Sequence, residues 1–277
     1  MKRIGYLGPK GTFSQEAVLE YVKEGIAYEP VEFNSISDIP VAVQNCEIDE
    51  AVIPIENSIE GAISVTLDML AFEVDLKIKA EVVVPIRQNL LVREGTERAN
   101  IRYIISHPQP IGQCRKYISA NFPAAEIQLV YSTAGAAIEV AKRQYDSAAI
   151  GSTAAAEVYG LKFLDKSIQD GDLNHTRFVV LSKEDGKVTG ADKTSIVFST
   201  EDKPGSLYRV LDIFSLWDIN MTRIESRPAK EKLGRYIFFV DIQGHRDDPD
   251  LKDALTMIQR KTSYYKFLGS YPEHKMG

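Results

Sequence analysis

Residues 174–178 read NHTRF, setting an amide, an imidazole, a hydroxyl and a guanidinium side by side ahead of the apolar run FVVLS. The preceding DGDL is a turn signal, so the cluster is expected on a loop entering a strand. A loop needs polar residues for solubility, but not four different hydrogen-bonding groups in succession. Together they can donate and accept hydrogen bonds and fix one positive charge, which suits binding or proton handling at a small polar ligand. Successive residues of an extended segment face opposite sides, so His175 is expected to point away from Thr176.

Three further stretches combine such residues with a strand exit. PIENSIEG, residues 54–61, follows the apolar EAVIPIE and presents Glu56, Asn57 and Ser58 before Gly61 relaxes the loop. Ligands of open parallel sheets bind beyond the carboxyl ends of the strands; an Asx-type turn capping the next helix is the plain alternative. ISHPQPIGQC, residues 105–114, places Ser106 at a strand exit, stiffens the loop with two prolines and puts Gln113 in the first turn of a following helix. His107 is a candidate acid or base there. LGPKGTFSQEA runs from a strand through a glycine-rich turn to a helix start, where Thr12 and Gln15 have capping-box spacing and Ser14 is an alternative cap. Free amides at such a start attract anions, although a well-capped turn needs no ligand. The stretch matches neither a Walker A loop nor G-x-G-x-x-G. No cluster at metal-ligand spacing accompanies any of the four, so no metal is expected.

The elements that carry these loops alternate. KRIGYLG reads as a strand and TFSQEAVLEYVKEG as a helix, with Phe13, Ala17, Val18, Tyr21 and Val22 on one face. AYEPVEF, EAVIPIE, KIKAEVVVPI, NLLVRE, RYIIS, IQLVYS and SAAIG read as strands; SDIPVAVQNC, AISVTLDMLAF, IGQCRKYISANF and TAGAAIEVAKRQ read as helices. Such alternation implies α/β architecture with parallel-rich sheets covered on both faces. KEDGKVTGADKT has no apolar pattern and reads as a linker. Beyond it, TSIVFST, PGSLYRVLDIFSLW, INMTRIESRP, GRYIFFVDIQG, DPDLKDALTMIQRK and YYKFLGSY follow one another as βαββαβ, a ferredoxin-like order, with a short glycine-containing turn joining the middle two strands.

Composition agrees with a globular chain: 277 residues, 44% hydrophobic and 26% charged. A net charge of −6 argues against a nucleic-acid partner. The two cysteines, Cys46 and Cys114, form no framework. The basic N-terminus is interrupted by glycine and proline before a signal core could form, and no apolar run approaches the ~20 residues that span a bilayer. A cytoplasmic protein without membrane association is expected.

Read in order, GPKGTFS, PIENSIEG, SHPQPIGQC and NHTRF resemble the motif set of prephenate dehydratases, and KPGSLYRVL with INMTRIESRP resembles the ACT domain that family carries. The resemblance covers nearly the whole chain. It implies a two-lobed catalytic part like periplasmic binding proteins over residues 1–183, with lobes of roughly 1–80 plus 160–183 and of 81–159. A linker at 184–193 and an ACT domain at 194–277 follow. With no chorismate mutase segment in view, it is similar to the monofunctional enzymes.

The activity implied is conversion of prephenate to phenylpyruvate with loss of water and carbon dioxide. Aromatisation drives the reaction, so no cofactor is expected. By resemblance Thr176 serves the departing hydroxyl, while Asn57, Ser106 and Gln113 orient the substrate and Glu56 assists proton delivery or regulation. Thr12 and the amides around Gly11 are expected to hold a second carboxylate, with Ser58 and Phe178 beside the substrate. Arg177 either forks onto a carboxylate or is tied to Glu56 or Asp172. Gln88, where relatives often carry histidine, is given no role. In the ACT part, Gly205, Ser206, Leu207 and Asn220, with Glu225, Ser226, Arg227 and Pro228, are expected to hold L-phenylalanine as feedback inhibitor. Pairing of ACT domains implies a homodimer or homotetramer. Arogenate as substrate, or a non-catalytic sensor of aromatic acids, are the rival readings.

Overall fold

The computed structural model describes residues 1–23, 25, 27–171, 173–230 and 235–274. In chain order it forms β1 (Lys2–Leu7), α1 (Phe13–Val22), β2 (Tyr28–Phe33), α2 (Asp38–Gln44), β3 (Glu50–Asn57), β4 (Gly61–Ala62) and α3 (Ser64–Asp68), which widens into a π-helical turn over Met69–Glu73. Next come β5 (Lys77–Pro85), β6 (Asn89–Val92), β7 (Tyr103–Ser106), α4 (Pro108–Gln113), α5 (Arg115–Asn121), β8 (Glu126–Leu129), α6 (Thr133–Lys142), β9 (Ser147–Gly151), α7 (Thr153–Tyr159), β10 (Lys162–Asp165) and β11 (His175–Ser182). The tail adds β12 (Asp192–Ser199), α8 (Ser206–Leu216), β13 (Met221–Pro228), β14 (Tyr236–Gln243), α9 (Pro249–Lys261) and β15 (Tyr264–Pro272).

These strands make three sheets: a six-stranded one ordered β2-β1-β3-β11-β5 with β4 beside β3, a five-stranded one ordered β10-β6-β9-β7-β8, and a four-stranded one ordered β13-β14-β12-β15. The fold class is the one expected, α/β sheets followed by a βαββαβ module. β1 runs parallel to β2, and β7 parallel to β8 and β9, whereas β6 is antiparallel to β9 and β10. Two compact units result, Met1–Ile39 with Val52–Gly61 and Val83–Phe178, and Pro40–Ala51 with Ala62–Val82 and Val179–Gly277.

Within the first unit, the five-stranded sheet shows why its short apolar runs do not alternate with polar residues. Leu90, Ile104, Ala148 and Ile150 pack with Cys114, Ile118 and Phe122 from the α4–α5 side. Leu91, Ile105 and Ala149 face the other way, onto Ala136, Ala137 and Val140 of α6 and Ala155 and Ala156 of α7. Both faces are covered, so both sets of alternating positions are apolar over most of these runs. In the second unit the ACT-type sheet buries Ile196, Phe198, Val240 and Ile242 beneath Val210 and Phe214 of α8 and Leu251, Leu255 and Ile258 of α9.

The stretch ISHPQPIGQC departs from expectation. Its prolines do not stiffen a loop; Pro108 opens α4, where a missing N–H is no loss, and Gln113 ends that helix. The helix expected over IGQCRKYISANF is accordingly broken at Cys114, whose φ of −111° and ψ of 17° divide α4 from α5. The turn expected between β13 and β14 falls on residues 231–234, outside the described residues. Among the described residues no helix is long and apolar enough to cross a membrane.

Candidate functional site

The first unit contains a cleft of about 260 Å³. One wall comes from the end of β3 and the start of β11. Asn57 is the last residue of β3 and is 7% exposed. Its Nδ2 donates to Thr176 Oγ1 at 2.8 Å and to Asn174 Oδ1 at 2.9 Å. Its Oδ1 accepts from the amides of Ile59 and Glu60 at 2.9 and 3.1 Å, the Asx turn that the sequence left open. All the bonding capacity of this amide is thus spent on fixing one geometry.

Strand alternation sorts the NHTRF cluster. Asn174, Thr176 and Phe178 line the cleft. Arg177 does not; its Nη2 lies 3.2 Å from Glu56 Oε2, a pair formed by the two residues next in chain to Thr176 and Asn57. Glu56 and Arg177 therefore occupy the opposite face, and of the alternatives open for Arg177 the one present is the tie to Glu56. Asp172, the other partner considered for Arg177, lies outside the described residues. Ser58 clasps the two strand ends rather than lining the cleft. Its Oγ donates to Leu173 O at 2.7 Å and accepts from the His175 amide at 2.9 Å.

The facing wall comes from α4, the residues before β6 and the start of α6. His107 caps α4 through Nδ1, which accepts from the Gln109 amide at 3.3 Å, and both residues line the cleft. Gln113 lines it too, its Oε1 accepting from Gln88 Nε2 at 3.2 Å. Ser106 does not: fully buried, it spends its hydroxyl on Ile150 O at 2.8 Å and locks β7 to the end of β9. Ser106 therefore does not join Gln113 in the cleft lining. Cys114 beside them is packing material; burial, reinforced by the charge of Asp170, pushes its thiol up to about 12.

Gly11 and Thr12 are also absent from the cleft lining, where Phe13 takes their place. The Gly11 amide donates to Gln15 Oε1 at 2.6 Å, and Thr12 Oγ1 donates to Leu7 O at 2.9 Å. Thr12 is the N-cap expected, its Oγ1 also accepting from the Gln15 amide at 3.4 Å. Gly11 itself is required: at φ +84° an added Cβ would sit 2.9 Å from Ala155 Cα.

Four contributors went unassigned in the sequence. Gln88 was given no role because relatives often carry histidine there; Asn174 stood in the cluster without a role. Ser132 and Thr133 open α6, with Ser132 Oγ accepting from the Gly135 amide at 2.9 Å, and both line the cleft. An N-cap serine before TAGAA was the available signal.

Comparison with known proteins identifies the family. The family described as prephenate dehydratase matches residues 4–186, and the ACT domain matches 194–256. The bifunctional chorismate mutase/prephenate dehydratase of Aquifex aeolicus is 42% identical over 98% of this chain and 74% of its own length. The crystal structure of prephenate dehydratase in complex with L-Phe from Arthrobacter aurescens is 34% identical with a TM-score of 0.88, covering 98% of this chain and 90% of that one. A structure described as a novel type of quorum quenching acylase, GqqA, also reaches 0.88 at 27% identity, over 99% and 98% of the two chains. On a family match spanning most of the chain and a relative alike over nearly all of it, this chain belongs to the prephenate dehydratase family.

Proposed function

We infer that the chain converts prephenate to phenylpyruvate, carbon dioxide and water, and that L-phenylalanine restrains it through the ACT module. The observation that carries the reading is the 2.8 Å bond from Asn57 Nδ2 to Thr176 Oγ1. Because the amide donates, it occupies a lone pair of the hydroxyl, and the threonine proton remains to be given to something else. In prephenate that something is the ring hydroxyl. As the ring carboxylate leaves as carbon dioxide, its bonding pair enters the ring and the far C–O bond breaks. One proton taken up lets the oxygen depart as water rather than hydroxide. A threonine hydroxyl is too weak an acid to supply that proton alone, so its role is to donate a hydrogen bond or relay a proton as charge grows on oxygen. The N-terminus of α6, behind Ser132 and Thr133, supports a substrate carboxylate through its first amides and dipole.

An acylase would need a nucleophile held by a base. Among the described cleft residues Thr176 is held by an amide and Ser132 by a helix amide, so the geometry favours elimination.

For the effector, a cavity of about 310 Å³ within the ACT module is lined by Gly205, Ser206 and Leu207. Gly205, at φ +78°, opens α8 without a side-chain cap, and the Ser206 amide donates to Lys203 O at 3.1 Å, so any ligand there meets the later amides of that turn. The remaining residues expected there are differently engaged. Asn220 Nδ2 donates to Gln243 Oε1 at 3.1 Å, and Glu225, Ser226 and Pro228 are carried on β13 away from that lining. Arg227 forks onto Asp68 at 3.0 and 3.2 Å and donates to Ser64 Oγ at 2.6 Å. Burial alone would raise the Asp68 carboxyl, but Arg227 and Lys230 outweigh it and hold the group below the usual carboxylate range. β13 is an edge strand with Ile224 exposed, and Leu216 on α8 and Tyr236 on β14 are exposed as well. A second copy of the module meeting this edge would make the homodimer, or a homotetramer built from it. We assign the catalytic part to residues 1–183 and regulation to 194–277.

The test is phenylpyruvate formation by the purified chain. Turnover of prephenate in preference to arogenate is expected, with saturating L-phenylalanine lowering it about 5- to 150-fold. A folded protein that leaves prephenate untouched would sink the reading. Arg177→Met is expected to leave KM within about threefold of wild type and to cost about 1 kcal/mol of stability through the lost Glu56 pair. A tenfold rise in KM at unchanged stability would put the guanidinium on the substrate instead.

A further inference from the structure

Gln88 carries an unmet demand. It is 2% exposed and lines the cleft, yet among the described residues its Oε1 has no hydrogen-bond partner. Everything else about the residue is fixed. Its amide donates to Gln169 Oε1 at 3.0 Å, its carbonyl accepts from the Ile168 amide at 2.8 Å, and its Nε2 donates to Gln113 Oε1 at 3.2 Å. A buried carbonyl oxygen left unpaired is costly and uncommon, so one on a residue that lines a ligand cleft implies a ligand that brings a donor.

Prephenate offers few donors. Its two carboxylates and its keto oxygen only accept, and its ring hydroxyl alone donates. We propose that Gln88 Oε1 accepts the proton of the substrate's ring hydroxyl and so turns the oxygen lone pairs toward the donor that assists departure. This rests on the prephenate reading above. The contact is weak in the ground state, where the donor is a neutral alcohol. It strengthens as the oxygen gains a second proton and becomes water, a more acidic donor. An interaction that grows along the reaction raises kcat and leaves KM nearly alone.

Gln88→Met keeps the length of the side chain and removes the acceptor. With wild-type turnover of prephenate measured first, so that failure of the reaction itself is seen separately, the variant is expected to lose about 10- to 100-fold in kcat with KM within threefold. A kcat within threefold of wild type, or a loss borne wholly by KM, overturns the proposal. Should Gln88→Met fail to fold, Gln88→His decides. One imidazole nitrogen can donate to Gln113 while the other accepts, so activity at pH 8 should stay within tenfold of wild type. Imidazole with an ordinary pKa near 6.5 loses its acceptor on protonation. The variant should therefore fall further than wild type between pH 7 and pH 5.5. A profile parallel to wild type overturns the assignment, and so does one that rises at low pH, since that would make the open group a donor site.

Discussion

Thr176→Val should lower kcat for prephenate by about 10²- to 10³-fold, the loss seen when one preorganised donor is removed from a developing oxyanion. The variant keeps the β-branched shape that β11 packs around and deletes only the hydroxyl. Asn57 loses one of its two acceptors but keeps Asn174 Oδ1 at 2.9 Å, so the wall of the cleft should survive. Folding measured by near-ultraviolet circular dichroism should match wild type. KM should change little, because the hydrogen bond matters only once the C–O bond begins to break. Comparison with Asn57→Ala sharpens the argument. That change frees Thr176 to rotate and also strips the Ile59 and Glu60 amides of their acceptor, so it should cost stability as well as rate. If Thr176→Val retains more than a tenth of wild-type kcat, the hydroxyl is not the donor and the NHTRF cluster needs another explanation.

The two residues at the heart of that prediction were legible in the sequence, and the reason is physical. Asn57 stands at a strand exit, where ligands of open α/β sheets gather, and Thr176 in a polar cluster at a strand entry; the roles of both came with the resemblance to the family. The same reasoning, carried one residue further, would have removed Arg177 and Glu56 from the substrate. Period-two alternation was applied to His175 but not to them, and the pair at 3.2 Å is its consequence. Ser106 was misread because its position at a strand exit said nothing of depth. It sits between β9 and β8, where a hydroxyl is satisfied by a carbonyl of the neighbouring strand. Gln88 was noticed as a departure from the family but given no role, since what distinguishes it is an unpaired oxygen, and that is a property of packing. The element order of the ACT module was plain from its apolar periods. The joining of residues 62–82 to that module in one compact unit was not, because it depends on pairings such as Arg227 with Asp68, far apart in sequence.

Lys193→Met is the change expected to harm stability most, by about 3–5 kcal/mol, and the partner it abandons explains why. Lys193 enters β12 and reaches Glu81 of β5 at 2.8 Å, with side chains only 10% and 2% exposed. Glu81 Oε1 also accepts from the His274 amide at 3.0 Å, and Glu273 lies 3.6 Å from the ammonium. Methionine keeps the apolar stem of lysine and removes the charge, leaving a carboxylate in a site with little water to solvate it. Two buried ions that pair well still gain little over two apolar side chains, because their desolvation nearly cancels their attraction. Lys193→Met combined with Glu81→Met should therefore recover most of the loss, giving an interaction energy of several kcal/mol in urea denaturation. A double variant as unstable as the single one would mean that the lysine stem, not the charge, holds β12 against β5. If the double variant is as stable as wild type and still turns over prephenate yet responds less to L-phenylalanine, the pair has been kept for the seating of the regulatory module rather than for the stability of the fold.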